Sequence, residues 1–275
     1  MPGSTLALHY YSLPGKKPTN STLPRSGGRF QDAEVNPFCL ASIQTRSRAI
    51  LFLLLVSAAG WLPFHASAAT NSFEKDILAF EASDRTNPPA PGGILFAGDS
   101  QFTLWKKVHE DLPEYRIINR GFGGSKITDL LYYTDRIVIP YHPRMIVVNE
   151  GGNDIHAGRT PEQVLADMKT FVNRVRAAMP TVPIAFFGLA SSPARWTETD
   201  SRRRFNQLLR EYLASGKDLL YLDIFDSFMG PDGKPREELF IADKLHNSAA
   251  GYAIRVKFLR PILGTPDYPD RKPRN

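Results

Sequence analysis

Five short apolar runs punctuate the chain: Ile94–Ala97, Tyr115–Asn119, Met145–Asn149, Pro183–Leu189 and Leu219–Phe225. They are largely continuous rather than alternating, as in strands buried on both faces, and too short to be helices. Between them the apolar spacing becomes helical, near residues 101–112, 126–138, 161–179 and 198–215, with a last helical stretch near 248–263. The third of these has the clearest start. Thr160-Pro161-Glu162-Gln163 reads as a capping box with proline at the first helical position. Val164, Met168, Phe171 and Val175 follow at helical spacing and predict a core-facing stripe. Strands that alternate with helices predict an α/β fold, with one parallel sheet covered on both faces. No repeat and no second domain interrupts it.

In such a sheet, ligands bind beyond the carboxyl ends of the strands. The segments after the strands therefore carry the functional information. Gly98-Asp99-Ser100 follows the first run, Asn119–Ser125 (NRGFGGS) the second and Glu150–Ile155 (EGGNDI) the third. Beyond the fifth lies Asp243–Tyr252, DKLHNSAAGY. Singly these are weak signals, since Gly-Asp-Ser is common turn chemistry and glycine clusters supply turns.

The N-terminal part has a different character. Arg46-Ser47-Arg48 precedes a short uncharged apolar stretch, and Ala66 and Ala68 then sit as in an A-x-A cleavage site. Residues 46–68 are thus expected to be a secretory signal cleaved after Ala68, or a signal anchor if cleavage fails. The protein is accordingly expected to be exported, periplasmic or secreted, with membrane contact only through this segment. Residues 1–45 are rich in Pro, Gly and Ser and lack periodicity; they are expected to be disordered, or to precede the true start of the protein. The expected domain spans 70–267, with a tail at 268–275.

Charge changes little. Residues 1–68 hold six Lys/Arg against Asp32 and Glu34, out of totals of 34 and 28, so the domain itself is close to balanced. No concentrated cationic field is evident, which argues against nucleic-acid binding. Cys39 is the one cysteine, so neither an internal disulfide nor a cysteine metal site is expected. No His-Glu-x-x-His spacing, dinucleotide fingerprint or Gly-x-Ser-x-Gly elbow occurs, and no metal or cofactor is expected.

Taken together and in order, the four loop blocks resemble those of the SGNH hydrolases, also called GDSL-type lipases and esterases. Within them the chain is most similar to the bacterial secreted branch that resembles platelet-activating-factor acetylhydrolases and lysophospholipase-like esterases. The resemblance covers about Ile94 to Leu263 and implies a three-layer α/β/α fold of the flavodoxin-like kind, with a five-stranded parallel sheet. It also implies roles. Ser100 matches the nucleophile, and Asp243 and His246 match the Asp-x-x-His block. Gly124, with Gly123 as the register alternative, matches the backbone donor of the oxyanion hole, and Asn153 of Gly151-Gly152-Asn153-Asp154 its side-chain donor. Gln101 departs from the Leu or Ile that many members carry after the serine.

The chemistry agrees with these roles. A serine hydroxyl needs a base within hydrogen-bond reach, and imidazole titrates near working pH. His9, His65, His109, His142 and His156 lack the placement of His246. Asp243, three residues earlier, is able to turn back and orient the ring. The Ser100 and Gly124 N–H groups and the Asn153 amide would hold the oxyanion. Asp99 and Asp154 are expected to brace loops, and Arg195 and Trp196 to form a substrate wall. The expected activity is a serine esterase acting on a small-molecule, glycan or lipid ester. The alternatives are an O-acyltransferase with the same triad and a non-catalytic glycan- or envelope-binding module.

Overall fold

The computed structural model describes residues 72–271; the expected signal at 46–68 and the extension at 1–45 lie outside the described residues. In chain order the elements are α1 (Glu74–Thr86), β1 (Ile94–Gly98), α2 (Ser100–Thr103), α3 (Val108–Asp111), β2 (Ile117–Gly121), α4 (Ile127–Ile137) and β3 (Met145–Asn149). Then come α5 (Gly152–His156), α6 (Pro161–Ala178), β4 (Ile184–Phe187), α7 (Thr199–Ala214), β5 (Leu219–Leu222) and α8 (Ala249–Leu259).

The five strands form one parallel sheet in the order β2-β1-β3-β4-β5. Each anticipated apolar run overlaps one of them, although β1 and β2 extend past their runs to Gly98 and Gly121. Side chains alternate across the sheet, and both faces are covered. Leu95, Ala97, Ile146 and Val148 pack with residues of α4, α6 and α7. Ile94, Phe96, Met145 and Val147 pack on the other face with Trp105, Tyr252 and Leu259. This two-sided burial explains the continuous apolar runs, and the result is the expected α/β/α arrangement. Val164, Met168, Phe171 and Val175 are buried in the first layer as their spacing predicts. At the start of α6, Thr160 Oγ1 accepts from Gln163 N at 3.3 Å and Gln163 Oε1 accepts from Thr160 N at 3.0 Å.

The strand order reverses direction at β1, which opens a crevice at the carboxyl ends of β1 and β3. Register places Gly98 level with Gly121 of β2 and Asn149 of β3, so the loops that follow all leave from one edge.

Several elements differ from expectation, among them the short helix α5 in the loop anticipated at 150–155. The helix anticipated over 101–112 is two short ones, α2 and α3, separated by a turn at 104–107. That turn buries the Trp105 ring, stacked 4.8 Å from Tyr252, while its Nε1 donates to Asp111 at 2.6 Å. Helix α1 was not anticipated. Ile77 is its one fully buried side chain, and ion pairs from Arg136 to Glu74 and Glu81 tie it to α4. A helix held largely by charge has little apolar periodicity to detect.

Candidate active site

Ser100 is the first residue of α2, immediately beyond β1. The turn depends on Gly98, whose φ is +152° and where a Cβ would lie 2.2 Å from the Asn149 carbonyl oxygen. Only glycine lets the ends of β1 and β3 approach so closely. Asp99 caps α2 by accepting from Gln101 N at 2.9 Å, and it also accepts from Asn149 Nδ2 at 2.9 Å. Burial pushes the Asp99 carboxyl up, against the hydrogen bond from Gln101 N, the charge of Arg255 and the Asn149 amide.

The expected base, His246, comes from the loop before α8. His246 Nε2 lies 2.8 Å from Ser100 Oγ, and its Nδ1 lies 2.6 Å from Asp243 Oδ2. An ionised carboxylate can only accept, so Nδ1 carries the proton and Nε2 is free to accept from the serine. The other oxygen, Asp243 Oδ1, accepts from Leu245 N at 2.9 Å and His246 N at 3.0 Å. Burial raises the Asp243 pKa, but these bonds and the imidazole outweigh it and hold the carboxyl at about 2.

The loop has few anchors. Lys244 adopts a left-handed φ of +57°, and its carbonyl accepts from Ala194 N at 3.0 Å. Gln101 Nε2 donates to the Leu245 carbonyl at 3.3 Å, and the Gln101 carbonyl accepts from Tyr252 Oη at 3.0 Å. Gln101, the departure from the family pattern, thus links α2 to the loop that carries His246 and to α8.

A buried polar chain joins the same parts from beneath. Asn149 Oδ1 accepts from Arg255 Nη1 at 2.8 Å, and Arg255 Nε donates to Asn247 Oδ1 at 2.6 Å, next to His246. Sequence reasoning missed Asn149, Arg255 and Asn247 as parts of this support, because no local motif links three residues so far apart in the chain.

Opposite the triad, Gly123 and Gly124 both border the cavity, and Gly124 holds a left-handed φ of +87°. The backbone N–H groups of Ser100, Gly123 and Gly124 have no acceptor among the described residues. The Asn153 amide is fixed at both ends. Its Nδ2 donates to the Ser125 carbonyl at 2.9 Å, and its Oδ1 accepts from Arg195 Nη1 and Nη2, each at 3.1 Å. Behind this loop, Ser125 Oγ donates to Glu150 Oε1 at 2.6 Å. Burial, reinforced by the nearby Asp99, pushes the Glu150 pKa well up. Asp154 is fully buried and braces α4 and α5 by accepting from Ile127 N at 3.0 Å and Arg159 Nη1 at 2.8 Å.

Ser100, His246, Gly123, Gly124 and Asn153 line a cavity of about 360 Å³, whose apolar wall includes Leu189, Ala190, Phe240 and Leu245. Arg195 lines it, but Trp196 does not and is 41% exposed. Within the 3₁₀ turn Pro193–Glu198, a kink at Arg195 (φ −125°, ψ 33°) separates the two neighbours. Among the described residues, no group of three His, Cys, Asp or Glu is placed to hold a metal ion.

The arrangement has counterparts in known proteins. A model of the GDSL-like lipase/acylhydrolase family matches residues 92–254. A Streptococcus pneumonia protein provisionally described as a platelet activating factor is 22% identical, with TM-score 0.62 over 68% of this chain and 91% of its own. A GDSL-like lipase from Bacteroides thetaiotaomicron is 15% identical, with TM-score 0.58 over 68% of this chain and 96% of its own. The lipase/acylhydrolase from Enterococcus faecalis is 18% identical, with TM-score 0.51 over 67% of this chain and 99% of its own. At these identities the likeness is one of fold. No curated protein matches the chain. With more than half of its length matched by the family model, the chain belongs to the GDSL-like lipase/acylhydrolase family and is a carboxylic ester hydrolase.

Proposed function

We propose that the protein is an exported serine esterase that cleaves short acyl esters through an acyl-enzyme on Ser100. The observation that carries this reading is the relay from Ser100 Oγ to His246 Nε2 at 2.8 Å and from His246 Nδ1 to Asp243 at 2.6 Å. In the first half-reaction Ser100 Oγ attacks the ester carbonyl and its proton passes to His246 Nε2. Asp243, ionised and bonded to Nδ1, stabilises the imidazolium. The oxyanion is held by the N–H groups of Ser100 and Gly124 and by Asn153 Nδ2. Collapse breaks the bond to the alkoxide, which leaves as the alcohol with the proton from His246. In the second half-reaction water attacks the acyl carbonyl and gives a proton to His246; collapse breaks the bond to Ser100 Oγ, which takes that proton back, and the acid leaves.

The preference for short acyl groups is supported by the size of the cavity, at about 360 Å³. That volume is near the lower end for small-molecule sites, which run from about 300 to 1,000 Å³. Acetyl esters, including O-acetylated sugars, fit this reading better than long-chain lipids. Export is supported by the basic flank, apolar stretch and Ala-x-Ala site at 46–68.

A chain-length series of p-nitrophenyl esters tests the reading. Turnover should peak at acetyl to butyryl and fall by about 10⁴-fold or more in Ser100→Ala, as when a triad nucleophile is removed. A fluorophosphonate should label the wild type once and Ser100→Ala not at all. Turnover that survives in folded Ser100→Ala would remove the assignment. For export, protein recovered outside the cytoplasm should begin at Ala69; retention inside at full length would count against it.

A further inference from the structure

Arg195 is placed oddly for a substrate wall. Both terminal nitrogens of its guanidinium point at Asn153 Oδ1, at 3.1 Å each, and Nη1 also donates to the Gly152 carbonyl at 3.2 Å. All three bonds end on the stretch that carries the side-chain donor of the oxyanion hole. No carboxylate among the described residues forms an ion pair with Arg195. The nearby Glu198 is occupied instead by Arg202 at 2.8 Å and His156 at 2.5 Å. Burial, together with the adjacent charge of Arg202, draws the Arg195 pKa below the ordinary guanidinium value. A partly desolvated cation without a carboxylate is costly unless its charge has a use.

Hydrogen-bond chemistry supplies that use. Guanidinium has five donors and no acceptor, and a peptide carbonyl has no donor. Arg195 on one side and the Ser125 carbonyl on the other therefore permit one orientation of the Asn153 amide: Oδ1 to the arginine and Nδ2 to the loop bordering the cavity. One Nδ2 proton is bonded to Ser125 O, and the second is left for the oxyanion. A positive charge on Oδ1 also draws electron density from the amide nitrogen and strengthens that proton as a donor, because linked hydrogen bonds polarise one another.

We infer that Arg195 is a positioning residue for the oxyanion hole: its double contact with Asn153 Oδ1 sets the orientation of the amide and polarises its N–H toward the developing oxyanion. This rests on the esterase reading above. It assigns Arg195 to the transition state of any ester the site accepts, whatever the alcohol. Of the two residues once grouped as a substrate wall, Arg195 acts on the protein side and Trp196 is outside the cavity.

A double-mutant cycle with Arg195→Ala and Asn153→Ala tests the inference. Asn153→Ala should cost about 10²–10³ in kcat, as for loss of an oxyanion donor. Arg195→Ala alone should cost about 10- to 100-fold in kcat with KM changed less than about threefold, a loss confined to the transition state. In the Asn153→Ala background the same change should cost less than about threefold, because coupled residues are not additive. Guanidinium ion at millimolar concentration should restore part of the Arg195→Ala activity, and methylammonium should not. Additive losses, or a loss carried by KM, would overturn the inference and make Arg195 a direct substrate contact. A crystal structure of Arg195→Ala supplies a reading independent of turnover. The Asn153 amide should be rotated or in two orientations, and an unchanged amide would count against positioning. Absence of wild-type turnover on all esters would defeat the esterase reading, while that structure would still decide the role of Arg195.

Discussion

The two halves of the proposed triad are held in opposite ways. On the nucleophile side the sheet does the work: Gly98 brings β1 against Asn149, Asp99 is buried with two hydrogen bonds, and Ser100 follows directly. On the base side an exposed loop does it, through an aspartate that accepts from two consecutive backbone N–H groups, a left-handed Lys244 and single bonds from Gln101 and Ala194. The difference shows where precision comes from. A strand end inside a packed sheet cannot move without disturbing both core layers. The loop rests on individual hydrogen bonds, the buried Arg255–Asn247 contact among them, and its exposed part opens at lower cost. In the proposed triad Ser100 is therefore the fixed reference, and the imidazole is brought to it.

Three substitutions probe that contrast. Gly98→Ala should have the largest effect, since its Cβ would meet the Asn149 backbone at 2.2 Å. A cost of about 3 kcal/mol is expected from overpacking and a strained φ, a fall in Tm of roughly 6–12 °C. Calorimetry that found an unchanged Tm would show β1 and β3 to be less tightly locked than their approach implies.

Gln101→Ala cuts the bond to the Leu245 carbonyl and frees the base loop. It should lower kcat by roughly three- to tenfold while Tm moves little, because one net hydrogen bond is worth about 1 kcal/mol. A large fall in Tm with unchanged kcat would reverse the picture and place Gln101 with the rigid half.

Lys244→Gly should do least. Glycine adopts the left-handed conformation without the Cβ penalty, so stability should rise by up to about 1 kcal/mol, offset by greater freedom of the unfolded chain. Activity should be unchanged if the loop's shape comes from the Asp243 bonds. A marked loss in steady-state turnover would show that stiffness at Lys244 matters to the imidazole.

Much of this was legible along the chain, but unevenly. The strands were, because burial on both faces leaves continuous apolar runs that a local window detects. Helix α6 was, because its capping box and stripe are local chemistry. The break between α2 and α3 was not, because it serves the contact of Trp105 with Tyr252, 147 residues away. Helix α1 was missed because, apart from Ile77 and Phe80, its ties are polar contacts with α4, Arg120 and Tyr141, which leave no periodic signature. Residues of the triad were named from the order of four loop blocks, and the fold brings Ser100, His246 and Asp243 within hydrogen-bonding distance.

The support behind those residues was invisible. Asn149 is written as the end of an apolar strand, Arg255 as a charge in a late helix and Asn247 as a loop amide. Packing alone turns them into one buried chain beneath the site. Arg195 was noticed for its position after the fourth strand, yet its contact with Asn153 depends on a kink that separates it from Trp196.

By itself the sequence determined the layering of the fold, the edge of the sheet where chemistry would gather and the residue types for nucleophile, base and orienting acid. The first two follow from periodicity, which acts over a few residues; the third is what the resemblance of four ordered loop blocks to the family implies. Tertiary structure decided how the imidazole is tethered, which way the Asn153 amide faces and what each arginine touches. Those depend on contacts between residues tens to more than a hundred positions apart, and such contacts exist only once the sheet has brought its loops to one edge.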